Sequence, residues 1–521
     1  MTDADRAAAP LIRAAFDLAA GAAPGAQTSA RHSLPLFGRT PRHESYGGSV
    51  PGVNTAFIRW LLCAQCRHAA WGVRDTGARK RSRRDDRASA HRSPRMDHIG
   101  EYVMAPVHVV LCVSSESAAR RDGLRLARLS NSSLTCNDGS PAGFYFRRGS
   151  NSHHWVVYLE GGGYCWDAAS CDARWRRRPG LMSSTRWPRA RRAPALLSAD
   201  PTTNPLWHDS NHVLLPYCSS DMWAGTRLSA ANGSFVFAGR LIVRSVLADL
   251  IRLGLAGRLL LVGSSAGGAG VMLNADAIRR ALRPHRVRVA AIADSGWFLD
   301  RPAKGRRSFS TDAVARLGHS YWRGSPPTSC VREYSEKPWL CYFGYRLYPY
   351  IRTPLFVFQY LFDSAQLTAE GVRAPRTRAQ WDDVHQTGAA LRSSLKTVRS
   401  TFAPACIAHG ALARPEWLAI NVSGVPLPRA ISCWERRLDR GTREKARCAP
   451  RRLIERCSWP QCNGSCPRLR DPRTGEEVAL AALLQSFGLD VRGAAAAMGL
   501  DARQLARMSR AELLPLLAPH T

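Results

Sequence analysis

From about residue 121 onward, short, mostly apolar runs alternate with stretches whose apolar residues recur at helical spacing. Trp155 to Leu159, His212 to Pro216, Leu259 to Val262, Val287 to Ala293 and Leu355 to Gln359 are short runs closed by turn-forming residues. Such runs predict strands buried on both faces. Between them, Leu241 to Leu253 carries Leu241, Ile242, Val246, Leu250 and Leu253 on one stripe, and Ala269 to Leu282 also reads as a helix. Strands alternating with helices predict an α/β fold with a mostly parallel, doubly wound sheet. Its functional residues then belong at the carboxyl ends of the strands. The rest of the chain is patterned differently. Residues 1–95 hold Ala/Gly runs and the basic stretch Arg79 to Arg84 without periodicity, and are expected to be a disordered extension. Residues 405–466 are cysteine-rich and are expected to hold few regular elements. Residues 478–516, with Leu480, Leu483, Leu484 and Phe487 at helical spacing, predict a helical tail.

Charge changes this picture. The 521-residue chain carries a formal +34, of which residues 121–521 hold +27, so the basicity belongs to the folded part. Such a balance favours polyanionic partners: nucleic acid, anionic membrane or sulfated polysaccharide. Cysteine narrows the choice. Most of the 15 cysteines cluster, and Cys457, Cys462 and Cys466 lack the tight four-ligand spacing of a zinc site, so neither a metal nor a cofactor is expected. Four Asn-x-Ser sequons, at Asn131, Asn232, Asn421 and Asn463, accompany them as candidate glycosylation sites. Together they point to the secretory pathway and disulfides, and away from nucleic acid. Met96 to Ala119 resembles a signal peptide: Tyr102 to Val113 is mostly apolar and small residues follow. That run is too short to span a bilayer, so no transmembrane segment is expected. Translation is accordingly expected to begin at Met96, leaving 120–521 as the mature domain.

The chemistry starts where the apolar run Leu259 to Val262 meets Gly263-Ser264-Ser265-Ala266-Gly267-Gly268. Gly-x-Ser-x-Gly between a strand and a helix is the context of a nucleophile elbow, with Ser265 at its tip. An activated serine needs an oxyanion hole, a base and an acid that orients the base. Gly161-Gly162-Gly163 follows the strand Trp155 to Leu159, so backbone N–H groups of Gly162, Gly163 and Ala266 are the oxyanion candidates. Asp363 follows a later strand, with Asp294 as competitor one strand earlier. His409, after the last predicted strand and beside Cys406, is the candidate base. Tyr164, Trp297, Phe298, Tyr342, Phe343 and Ala365 follow strand ends or flank a cysteine, and are the candidates to line an acyl pocket.

These residues resemble the pectin acetylesterase-like α/β-hydrolases. The resemblance rests on Thr135 to Gly143, Leu159 to Gly162, Leu181 to Ser184, Pro216 to Asp221, Gly263 to Gly268, Ala293 to Asp300, Phe362 to Leu367 and Phe402 to Cys406. It spans about 125–515. It implies an α/β-hydrolase fold with a Ser265, Asp363, His409 triad. It implies a secreted serine carboxylesterase that removes palmitoleate from a serine of Wnt proteins, so silencing Wnt signalling, and that binds heparan sulfate proteoglycans. It also implies the disulfides Cys136–Cys218, Cys165–Cys171 and Cys330–Cys341. The six cysteines that follow leave fifteen pairings open. The chain departs from the secreted branch in two places. Gly163 stands where that branch usually has Trp and the plant pectin acetylesterases have Gly. Ser308 to Trp322 lacks a cysteine pair the branch carries. Two other readings compete: a polysaccharide O-acetylesterase, and a catalytically silent glycosaminoglycan-binding protein.

Overall fold

In the computed structural model, fourteen strands are seen among the described residues. These are 123–469, save 230–234, 304–309, 373–377, 441–447 and 458, with a few isolated positions beyond 469. The basic N-terminal stretch, the signal-peptide-like segment, Asn232 and nearly all of the tail 478–516 lie outside them.

The strands are β1 (Gly123–Arg128), β2 (Gly143–Arg147), β3 (Asn151–Leu159), β4 (Ala190–Arg192), β5 (Ser210–Leu215), β6 (Arg258–Ser264), β7 (Arg288–Asp294), β8 (Leu355–Phe358), β9 (Phe362–Asp363), β10 (Thr401–Ala403), β11 (Ile407–Ala408), β12 (Asn421–Val422), β13 (Val425–Pro426) and β14 (Arg452–Ile454). Ten of them form one sheet in the order β14-β10-β8-β7-β6-β3-β5-β2-β1-β4. From β14 to β5 neighbouring strands are parallel, and β2, β1 and β4 extend the sheet antiparallel.

The apolar runs form central strands because both of their faces are covered. Trp155, Val157 and Leu159 of β3 enter one core, and Val156 and Tyr158 enter the other. Leu259 and Leu261 of β6 divide from Leu260 and Val262 in the same way. The first core is closed by the helices α1 (Ala168–Arg177), α2 (Gly239–Arg252), α3 (Ala266–Leu282), α4 (Thr311–Tyr321), α5 (Thr328–Glu333), α6 (Gly344–Leu347), α7 (Ser364–Ala369) and α8 (Arg378–Leu395). The second is closed by α9 (Leu427–Arg440) and by Trp207 stacked on Trp417, centroids 5.9 Å apart.

The cysteine-rich region is more regular than its composition suggests. It contributes α9, the edge strand β14, the strand β11 that pairs with β9, and the short pair β12–β13. Ile431 and Trp434 of α9 are buried against the sheet, and that apolar face folds the segment despite its polar average. The structure pairs Cys136 with Cys218, Cys165 with Cys171, Cys330 with Cys341, Cys406 with Cys466 and Cys457 with Cys462. Cys433 and Cys448 carry no disulfide.

Candidate functional site

The elbow is built by close backbone packing. Ser265 adopts φ 59°, ψ −124°, a conformation that costs a non-glycine residue roughly 1–3 kcal/mol. Its N–H donates to the carbonyl of Asp294 at 2.8 Å, which ties the turn to the end of β7. A Cβ at Gly267 would collide with the carbonyl oxygen of Leu159, so only glycine lets α3 start this close to β3. The result holds Ser265, half-buried, at the N-terminus of a 17-residue helix, where the first N–H groups lack intrahelical acceptors. Those donors and the helix dipole favour a developing negative charge.

The glycine loop after β3 lies beside the elbow. Gly162 (φ 147°) and Gly163 (φ 71°) take left-handed conformations, and both line the same cavity as Ser265 and Ala266. The Cys165–Cys171 bridge fastens this loop to α1, and Trp322 Nε1 donates to the Cys165 carbonyl at 2.7 Å.

Asp363 and His409 meet although 46 residues separate them. The parallel pair β9–β11 sets Ala408 beside Asp363, and His409 Nδ1 lies 2.9 Å from Oδ2 and 3.0 Å from Oδ1 of the carboxylate. Asp363 is fully buried. It accepts from the N–H groups of Ala365 and Gln366, at 2.9 and 3.0 Å, and from Gln359 Nε2 at 2.9 Å. Burial alone would lower the His409 pKa, but the Asp363 charge and hydrogen bond outweigh it and raise it above the ordinary histidine value. With Nδ1 bound to Asp363, His409 Nε2 is left buried and without a hydrogen-bond partner. Ser265 and His409 line one cavity but form no hydrogen bond here, and such contacts commonly tighten only when substrate is bound.

Asp294, the competing acid, has another place. Its carboxylate accepts from Ser264 Oγ, from Ser295 Oγ at 3.0 Å, from Ala411 N at 2.9 Å and from Leu412 N at 3.0 Å. It clamps the loop after His409 to the elbow rather than facing the imidazole.

The cavity has a volume of about 570 Å³, within the ordinary range for small-ligand sites. Tyr164, Phe298, Tyr342, Phe343 and Ala365 line it. Trp297 does not. It is buried in the core, its ring packs edge-on against Tyr348 at 5.7 Å, and its Nε1 donates to Ser394. Its N–H is taken by Gln359, which turns the side chain under the strand end. Trp166, Met222, Thr311, Ala315, Thr368 and Ala369 complete the walls, with Arg178 and Arg414 also on the lining. Apart from Arg178, which belongs to an arginine-rich segment, none of these stood out in the sequence. The only signal was spacing: Thr311 and Ala315 are four apart on α4, and Ala365, Thr368 and Ala369 share a face of α7.

Of the sequons, Asn131 is exposed and Asn421 half-exposed. Asn463 is buried, and its Nδ2 donates to the Asn421 carbonyl and to Glu455, so a glycan there would break both bonds.

Comparison with known proteins agrees with this architecture. A model of the family described as pectinacetylesterase matches residues 117–467. The palmitoleoyl-protein carboxylesterase Notum of Mus musculus is 41% identical, over 74% of this chain and 80% of the mouse protein. That of Drosophila melanogaster is 35% identical, over 79% of this chain and 89% of the fly protein. A solved structure of the Wnt deacylase Notum from Drosophila superposes with a TM-score of 0.63 at 48% identity, covering 66% of this chain and 99% of that one. The chain therefore belongs to the pectinacetylesterase family.

Proposed function

We propose that this carboxylesterase acts outside the cell on a lipidated protein, removing palmitoleate from a serine of Wnt proteins and so lowering Wnt signalling. The observation that carries the reading is the junction of Ser265, the His409–Asp363 pair and a largely apolar cavity of about 570 Å³. Ser265 Oγ attacks the ester carbonyl as its proton passes to His409 Nε2. Asp363 holds the imidazole in orientation and stabilises the imidazolium. The oxyanion is received by the N–H groups of Ala266, Gly162 and Gly163. His409 then protonates the departing serine oxygen of the substrate, leaving an acyl-Ser265. Water, deprotonated by His409, releases the fatty acid and restores Ser265. The names of the relatives support the substrate.

An acetyl group would leave most of this cavity unfilled, which weighs against the polysaccharide O-acetylesterase reading in spite of Gly163. Five disulfides support secretion, and among the described residues no helix is long and apolar enough to cross a membrane. The +27 of residues 121–521 supports a second partner, heparan sulfate proteoglycans. The test of the activity is release of palmitoleate from an acylated Wnt hairpin peptide by the wild type and by Ser265→Ala. Release by the wild type alone is expected, and equal release by both would overturn the assignment.

A further inference from the structure

The cavity at Ser265 is walled largely by apolar side chains, yet Arg178 and Arg414 stand on its lining and, among the described residues, no carboxylate does. Arg178 is the exposed C-cap of α1. One turn back on that helix, Arg174 lies against the glycine loop. Its Nε donates to Ser220 Oγ at 2.8 Å and its guanidinium lies over the Tyr217 ring, while Nη2 is buried with no hydrogen-bond partner. Burial lowers the Arg174 pKa, Tyr217 opposes this in part, and the neighbouring charge of Arg178 lowers it further. Among the described residues neither arginine has an acidic partner. Gly163 is exposed and shares the cavity lining with Ser265 and Arg178. Apart from its chain neighbours, a side chain at Gly163 would meet nothing within 4 Å but Arg174 Nη1, at 3.7 Å. The open space over the oxyanion loop is therefore bounded by a guanidinium. Two adjacent like charges, one of them partly desolvated, lack a counter-ion that a ligand can supply.

We propose that Arg174 and Arg178 form a phosphate subsite for the alcohol side of the substrate, so that this esterase also hydrolyses lysophosphatidates, the acyl esters of glycerol phosphate. The proposal rests on Ser265 as the nucleophile and adds a substrate class to that site. The acyl tail fills the apolar cavity and the ester carbonyl meets the N–H groups of Gly162, Gly163 and Ala266. The short glycerol then sets the phosphate beside the glycine loop. A phosphate monoester carries about −1.5 to −2 charges at pH 7, which matches the two uncompensated guanidiniums. Their planar forks also fit its oxygens in two-point hydrogen bonds. In the reaction, Ser265 Oγ bonds to the acyl carbon, the ester C–O bond breaks, and His409 passes the Ser265 proton to the departing glycerol oxygen. Water then breaks the acyl-Ser265 bond. The products are a fatty acid and glycerol phosphate, and water is the only co-reactant. A neutral monoacylglycerol presents the same tail and ester but leaves both guanidiniums unpaired.

The test measures kcat/KM of the full chain for octanoyl-lysophosphatidate and for monooctanoylglycerol, both at monomeric concentrations. Hydrolysis of p-nitrophenyl octanoate reports the esterase itself, and the melting temperature reports folding. The wild type is expected to prefer the phosphorylated ester by about tenfold or more, and Arg178→Gln to cut that preference to about threefold or less, chiefly through KM. Arg174→Gln, checked for folding by its melting temperature, is expected to do the same, and Arg178→Lys, which keeps the charge, to retain most of the preference. Equal kcat/KM for the two esters in the wild type overturns the lysophosphatidate activity. A preference that survives both glutamine substitutions, or that Arg414→Gln removes instead, overturns the location. Wild-type protein inactive on all three esters overturns the Ser265 esterase reading on which the proposal rests.

Discussion

The two halves of the proposed catalytic centre are made in opposite ways. The elbow half is contiguous: β6, Ser265 and α3 follow one another within 25 residues, and its strain is set by local glycine packing. The acid–base half is assembled from Asp363 and His409, carried by two-residue strands whose pairing depends on the surrounding fold. Asp294 joins the halves, holding Ser264 with one side of its network and the backbone of Ala411 and Leu412 with the other. A nucleophile can thus be specified locally, whereas its base must be positioned by tertiary structure and a buried clamp.

Removing the nucleophile should have the largest effect. Ser265→Ala is expected to lower kcat/KM for p-nitrophenyl octanoate by roughly 10⁴-fold or more, with thermal stability unchanged or raised as the strained turn persists. Retention of a tenth of the activity would end the assignment.

The two carboxylates provide the sharpest contrast. Asp363→Asn should cost about 10⁴-fold in kcat, because the amide no longer stabilises the imidazolium. Asp294→Asn should keep far more activity but lose stability of about 1.5–3 kcal/mol, the cost of weakening a charged acceptor with several buried donors. Kinetics and calorimetry on both variants check this. If Asp294→Asn were the less active of the two, the roles would be reversed.

Chain length probes the cavity between the halves. Six further buried methylenes at about 0.8 kcal/mol each give octanoate an upper gain of about 4–5 kcal/mol over acetate, so kcat/KM should favour octanoate by up to about 10³-fold. Equal or better hydrolysis of acetate would favour the acetylesterase reading, with Gly163 the first residue to examine.

The pH dependence is the finest probe. In the proposed mechanism His409 acts as a base only when neutral, and Asp363 raises its pKa. Activity should therefore fall, as pH is lowered, through an apparent pKa above the usual histidine value of about 6.5. Residual activity in Asp363→Asn should have this limb moved to lower pH, since burial is then opposed only by the charge of Asp294. An acid limb that stays in place would mean that another group titrates.

Much of this was legible from the chain. The runs at Trp155, Leu259, Val287 and Leu355 became central strands because burial on both faces demands unbroken apolar sequence. Ser265 and the Gly162–Gly163 loop were readable because each is a local backbone requirement. Less was legible in 405–466, where α9 hides a buried face within a polar average and β14 has only three residues. The aromatic cluster near the strand ends could not be sorted by type: Phe298 faces the cavity and Trp297, its neighbour, packs inward.

The sequence by itself determined the sheet's central strands and the strained serine, since each follows from local periodicity or from a short backbone motif, and it offered Asp363, Asp294 and His409 as candidates by chain order. Only the tertiary structure separated Asp363, which meets His409, from Asp294, which holds Ser264 and the backbone of Ala411 and Leu412. That choice depends on which groups meet across 46 to 118 residues of chain. Such meetings are fixed by packing and by satisfying buried polar groups, and one-dimensional patterns carry neither.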